Sequence, residues 1–311
     1  MHSLLEAAVA GDVRALGKAL SVIEDGTSEL TELLSELPDS GSALLIGVTG
    51  PPGVGKSTTT GALIAEYRKQ GLRIAVLAVD PSSPVTGGAL LGDRIRMQEH
   101  ALDEGVFIRS MSSRGQLGGL SSATQAAAKV LDAVGFDVII VETVGVGQSE
   151  VDVVNAVDTV VLVLAPGAGD GVQAAKAGIL EIADVYVVNK ADRDGAEGVV
   201  RELRSMIGLG SANSRSWTPE IVTTVATSGQ GLPDLVTAIT KHHDWAISSG
   251  DRALRSVERA KLNLRRAVLN SITELMDLNS TTLNSLSARV ANGEISTEIA
   301  VRQILQDLNN S

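Results

Sequence analysis

Two periodicities alternate along this chain. Apolar runs at 44–49, 74–79, 138–141, 159–164 and 185–188 carry almost no charge. Uninterrupted aliphatic runs of this length mark strands buried on both faces of a parallel sheet. The runs 106–108 and 221–225 read as further strands. Between them, 56–70 and 123–134 show helical spacing, and Gly71 ends the first of these helices. Strands alternating with helices predict an α/β fold with a doubly wound, mostly parallel sheet. Ligands of such sheets bind at the carboxyl ends of the strands. The polar, glycine-rich segments of this sequence fall there.

The pattern differs at both ends. Leu4, Leu5, Ala8, Val9, Val13, Leu16 and Leu20 recur at helical spacing, with a break at Gly11-Asp12. The cluster Pro38-Asp39-Ser40-Gly41 reads as a turn and a boundary. Residues 1–40 are therefore expected to form an N-terminal helical extension and 41–247 the sheet domain. Residues 248–311 are expected to form a C-terminal helical arm. Within it, 253–276 has Leu262, Ala267, Ile272 and Met276 among charges, and a second helix covers 297–308. Such an arm packs on its own domain or on a second subunit.

Composition narrows the chemistry. With two Trp, two Tyr and two Phe in 311 residues, the core must be aliphatic. There is no cysteine, hence no disulfide, thiolate metal site or cysteine nucleophile. A net charge of −11 argues against a nucleic-acid or anionic-membrane surface. The opening residues lack the features of an export signal, and no apolar run reaches membrane-spanning length, so a cytoplasmic location is expected. His2, His100, His242 and His243 offer no metal spacing beyond the adjacent pair, which reads as a solvated helix end.

Gly50-Pro51-Pro52-Gly53-Val54-Gly55-Lys56-Ser57 fits the phosphate-binding pattern G-x-x-x-x-G-K-[ST], with a strand before it and a helix after. Gly53 and Gly55 let the backbone wrap phosphate oxygens, and the helix N-terminus favours the negative charge. Lys56 can reach the β- and γ-phosphates, and Ser57 can offer its hydroxyl to Mg²⁺. Val54 and Thr58 complete the contact set.

Asn189-Lys190-Ala191-Asp192 follows the strand 185–188. A carboxylate at Asp192 can accept from the N1–H and the exocyclic amine of guanine. Adenine has no N1–H and leaves that carboxylate unpaired, a costly mismatch. Asn189 can bond the other edge of the base, and the stem of Lys190 can lie along the ring. A backbone amide in Thr224-Val225-Ala226-Thr227, that of Ala226, can reach the guanine O6. Together the motifs imply GTP and GDP as ligands, with Mg²⁺.

Three carboxylates are candidates for metal and catalytic work: Asp80 and Glu142 at strand ends, and Asp93 in a glycine-rich loop. The spacing leaves open which binds Mg²⁺ directly and which orients water. The Gly145 amide can sense the γ-phosphate. Segments 81–92, 110–122 and 145–150 are expected to order around that phosphate. Arg94 and Arg114 are the candidates for an arginine finger, and Gln148 a weak one for orienting water.

These residues resemble the methylmalonyl-CoA mutase-associated GTPases, also known as ArgK-type proteins or lysine/arginine/ornithine transport ATPases. The resemblance rests on 71–84, Gly87-Gly88 and Leu91-Gly92-Asp93-Arg94, on 113–119 and 141–150, and on Pro166-Gly167-Ala168-Gly169-Asp170 and the 189–192 motif. It is dense over 44–192 and thin in the arm. It implies a P-loop GTPase that dimerises, with 248–311 as the dimerisation arm. It implies a chaperone or gatekeeper for an adenosylcobalamin-dependent acyl-CoA mutase. It also implies Lys56, Asp80, Asp93 and Glu142 as catalytic residues, with Ser57 and those three carboxylates at the metal. Segment 167–176 is then a partner-responsive switch, with Lys176 a contact. Competing readings are a metal-insertion GTPase, an ATP-dependent kinase of an amino-acid transport system, and a scaffold that binds nucleotide without turnover. The lack of Cys and of a His cluster speaks against the first, and Asp192 against the second.

Overall fold

The computed structural model describes residues 3–25, 29–35, 37, 41–80, 100, 102–112, 119–143, 156–167, 180–210, 217–278 and 280–309. Seven strands form one sheet in the order β3-β2-β4-β1-β5-β6-β7. They are β1 (Leu44–Thr49), β2 (Ile74–Asp80), β3 (Val106–Ser112), β4 (Val138–Thr143), β5 (Thr159–Leu164), β6 (Val185–Asn189) and β7 (Glu220–Thr224). Every strand pair is parallel. The apolar runs form strands because both faces are covered. Every residue of β4 and β5 is buried.

Strand alternation sorts the core into two layers. Ile74, Val76, Ile140, Val161, Val163, Val185 and Val187 pack with Leu63 and Ile64 of α4 (Lys56–Lys69), and with Leu235 and Ile239 of a later helix, 232–248. Leu77, Val79, Ile139, Val141 and Val160 face the other way. They meet Val130 and Leu131 of α5 (Gly119–Ala133), and Leu16 and Leu20 of α2 (Val13–Asp25). Leu162, Leu164 and Val188 pack with Val199 and Leu203 of α6 (Ala196–Gly210).

The N-terminal segment is helical as its pattern predicts: α1 (Ser3–Val9), α2 and α3 (Glu29–Ser35). The break falls at Gly11, with φ +97°, and Asp12 caps α2 by accepting from the amides of Arg14 (2.8 Å) and Ala15 (3.1 Å). Arg109 on β3 fastens α2 to the sheet. Its guanidinium donates to Gly17 O at 2.9 Å and pairs with Glu24 at 2.7 Å.

The pattern assigns no helix to 196–210 or 232–248, yet α6 and α7 (Leu232–Ser248) occupy them. Among the described residues the C-terminal region holds three helices rather than two: α8 (Asp251–Leu278), α9 (Ser280–Ala291) and α10 (Thr297–Asn309). The additional one, α9, is rich in Ser, Thr and Asn, poor helix formers that hide an apolar spacing of Leu283, Leu286 and Val290. By compactness the chain divides into units 1–256 and 257–311. No helix among the described residues is long and apolar enough to cross a membrane.

His242 is a correction. It is fully buried rather than solvated, because α7 turns it inward under the amino ends of β5 and β6. Its Nδ1 lies 2.8 Å from Thr159 Oγ1 and its Nε2 3.3 Å from Asp184 Oδ1. Burial by itself raises the Asp184 carboxyl. Hydrogen bonds from His242 and Arg255 outweigh burial and hold it below the ordinary carboxylate range. A carboxyl depressed by folding stabilises fully above its unfolded value of about 4 and loses that contribution as pH falls through the folded value. Acid unfolding is therefore expected to weaken the intact protein below about pH 4. The fall should be shallower in Asp184→Asn, and equal slopes would contradict the assignment.

Candidate functional site

The site is built where β1, β4, β6 and β7 end. β1 delivers Thr49, the loop 50–55 follows, and α4 starts at Lys56. Gly50, Gly53 and Gly55 have φ of +144°, +79° and +99°, a region side-chain-bearing residues avoid. A Cβ on Gly50 would lie 2.1 Å from Val163 O, and one on Gly55 2.5 Å from Asn189 Nδ2. The obstacle at Gly50 is the backbone of a central strand and cannot yield. Gly50→Ala is expected to lower stability by about 2–3 kcal/mol. Urea unfolding checks this, and an unchanged midpoint would contradict the loop geometry.

Donors from three places hold the loop carbonyls. Lys56 Nζ donates to Gly50 O at 2.8 Å and Pro51 O at 2.9 Å. Lys190 Nζ donates to Gly53 O at 2.6 Å, and Asn189 Nδ2 to Val54 O at 2.9 Å. With its carbonyls so engaged, the loop has backbone amides to offer an anion. The phosphate-type loop and the 189–192 motif are thus one unit, although 137 positions separate Gly53 from Lys190.

Asn189 is the node of this unit. It is 3% exposed. Its Oδ1 accepts from Thr224 Oγ1 at 3.2 Å and from the Ala226 amide at 3.1 Å. The Ala226 amide, expected at a guanine O6, is directed here to Asn189. Lys190 has φ +57°, the one non-glycine residue at positive φ among those described. That turn leaves Asp192 exposed beside the loop. Thr58 and Gly53 are also exposed, while Val54 is buried under the loop.

On the other side, Ser57 Oγ donates to Glu142 Oε1 at 2.6 Å, and both residues are buried. β4 runs beside β1 with Val48 opposite Glu142, which aims the carboxylate at the first turn of α4. One residue on, Thr143 Oγ1 donates to Thr49 Oγ1 at 3.1 Å and ties the two strand ends. Asp80 ends β2, whose Ala78 pairs with Glu142. The Asp80 side chain lies outside the described residues, as do Asp93, Gly145, Arg94, Arg114, Gln148 and Lys176.

A hydroxyl and a carboxylate are hard oxygen donors and suit Mg²⁺. Among the described residues no group of three or more His, Cys, Asp or Glu gathers that could hold a metal. Sequence reasoning missed Thr224, Thr49 and Thr143. Each is a buried threonine at or next to a strand end, beside a flagged motif, and that adjacency was the available signal.

Residues 16–281 match the family described as Methylmalonyl Co-A mutase-associated GTPase MeaB. A putative GTPase of Pyrococcus horikoshii is 44% identical over 311 residues, covering 99% of this chain and 98% of that protein. GTPase ArgK of Escherichia coli is 36% identical over 94% of this chain and 92% of its own. The mitochondrial methylmalonic aciduria type A homolog of Mus musculus is 34% identical, over 86% and 68% respectively. A crystal structure titled LAO/AO transport system kinase superposes with a TM-score of 0.71 at 28% identity, covering 99% of both chains. By sequence, fold and the joined nucleotide loops, the chain belongs to the methylmalonyl Co-A mutase-associated GTPase MeaB family and is a GTP hydrolase.

Proposed function

We propose that this GTPase is a gatekeeper for an adenosylcobalamin-dependent acyl-CoA mutase, hydrolysing GTP to GDP and phosphate in the cytoplasm to time its action on that partner. The observation that carries the nucleotide half is the Asn189 node, which welds a phosphate loop to a guanine-reading turn. The mutase half is supported by the family description.

In this reading the amides of 53–58 cradle the phosphates, and Lys56 exchanges the carbonyls of Gly50 and Pro51 for β- and γ-phosphate oxygens. Asp192 accepts from guanine N1–H and the exocyclic amine. Asn189 and Lys190 hold the turn that presents it. Ser57, released from Glu142, would hold Mg²⁺ together with the carboxylates Asp80, Asp93 and Glu142, which would also orient the attacking water. Mg²⁺, when bound, neutralises charge on the β- and γ-oxygens. Water adds to the γ-phosphorus, the bond to the β,γ-bridging oxygen breaks, and GDP, phosphate and a proton leave. Gly145 senses the γ-phosphate, and 167–176 answers to the partner.

The arm, 248–311, serves as a dimerisation element in this account. Leu254, Val257, Leu264 and Val268 expose an apolar stripe at helical spacing along α8, with 68%, 52%, 68% and 57% of their surface accessible. The GTPase rate is to be measured with and without purified cobalamin-dependent mutases. At least about a tenfold rise with one of them is expected, since a partner that completes the site supplies 10³–10⁵ in related switches. An unchanged rate with every mutase tried would overturn the partner assignment and leave the GTPase intact.

A further inference from the structure

A buried, heavily hydrogen-bonded polar cluster lies at the end of the sheet opposite the nucleotide site. Asp184 immediately precedes β6 and Asp158 immediately precedes β5. Both are almost fully buried, with 1% and 4% exposure. The first turn of α8 grips both. Arg255 places Nη1 3.0 Å from Asp184 Oδ2 and Nη2 2.9 Å from Oδ1, and Arg252 Nε lies 3.1 Å from Asp158 Oδ2. Asp184 also accepts from the Val160 amide at 2.9 Å, and its backbone carbonyl from Trp217 Nε1 at 2.9 Å. The Trp217, His242 and Trp245 rings close over it, with centroids 5.0 to 5.6 Å apart.

A fold needs no such arrangement for stability alone. Replacing buried ion pairs by apolar groups is often neutral or stabilising. What distinguishes these pairs is where their strands lead. β6 ends at Asn189, the node of the base-reading turn. β5 ends at Leu164, and Ala165-Pro166-Gly167 continues into the segment proposed to respond to a partner. Each strand is a short rod of about 16–20 Å. Each is buried on both faces, so displacement at one end is carried to the other rather than absorbed by side-chain rearrangement. Two aspartates at the amino ends are both held by one helical turn.

We propose that the Arg252–Asp158 and Arg255–Asp184 pairs are a relay by which the nucleotide at the carboxyl ends of β5 and β6 sets the conformation of the first turn of α8. The proposal rests on the nucleotide reading above and adds a direction of signalling to it. Linkage makes the relay reciprocal: weakening the grip at α8 changes how the protein discriminates GTP from GDP.

The chain carries its own probe. Its only two tryptophans, Trp217 and Trp245, both sit in this cluster. Binding of GDP and of a non-hydrolysable GTP analogue is measured by calorimetry on the full chain with Mg²⁺, and tryptophan emission is recorded on the same samples. The two complexes are expected to differ in emission. Arg252→Gln is expected to halve that difference or more and to change the affinity ratio of analogue to GDP at least about threefold. The paired variant Asp158→Asn/Arg252→Gln leaves no unpaired buried charge and is expected to give the same result, which separates loss of the relay from misfolding. Binding of both nucleotides with identical emission, or either variant folded with an unchanged ratio, overturns the relay and leaves the nucleotide reading standing. Absence of binding in calorimetry overturns both.

Discussion

Asp192→Asn is expected to lower kcat/KM for GTP at least about 100-fold and to raise turnover of xanthosine triphosphate above that of GTP. Guanine offers two donors to this position, N1–H and the exocyclic amine, and a carboxylate accepts both. A carboxamide keeps one acceptor and sets an N–H₂ against the exocyclic amine, so two donors meet. Xanthine has a carbonyl in place of that amine and matches the carboxamide. Asp192 is exposed and makes no described contact within the chain, so the substitution removes no internal support. The melting temperature should stay put while specificity inverts. Loss of both nucleotides together would mean that the turn itself had collapsed.

Lys56→Ala is the second large effect. The residue is 7% exposed, and its ammonium is held against the carbonyls of Gly50 and Pro51, at the mouth of the loop. In the proposed reaction it moves onto the phosphates and meets the charge that builds as the γ-phosphoryl group transfers. Removing one preorganised charged donor from a shielded site costs about 10²–10³ in kcat. GTP hydrolysis is therefore expected to fall by at least that much, with GDP affinity falling less, because GDP lacks the γ-phosphate. Single-turnover phosphate release measures the first and calorimetry the second. An equal loss for GDP would assign Lys56 to holding the loop rather than to the reacting phosphate.

Much of the fold was legible because the signal was local. Strand 159–164 is TVVLVL, with no polar residue after its first position, and only a doubly covered strand suits it. The loop 50–57 and the turn 189–192 announce their chemistry by residue type and spacing. What the sequence withheld was long-range or polar. Nothing near Asn189 says that its carbonyl takes the Ala226 amide, 37 positions on. Nothing near His242 says that Asp184 lies 3.3 Å away, so an adjacent histidine pair at a helix end read as solvated. Helix α9 hid because Ser, Thr and Asn serve turns as readily as helices. The proposed partner rests on the family resemblance, because no single residue of the site encodes one.

The central claim is that one welded unit, the loop 50–57 with the turn 189–192, binds and hydrolyses guanine nucleotide. The direct test is side-by-side turnover of GTP and ATP by the intact protein with Mg²⁺, with phosphate release followed at equal concentrations below saturation. GTP hydrolysis is expected to exceed ATP hydrolysis at least about 100-fold, because adenine leaves the Asp192 carboxylate unpaired. Equal rates, or a preference for ATP, would contradict it.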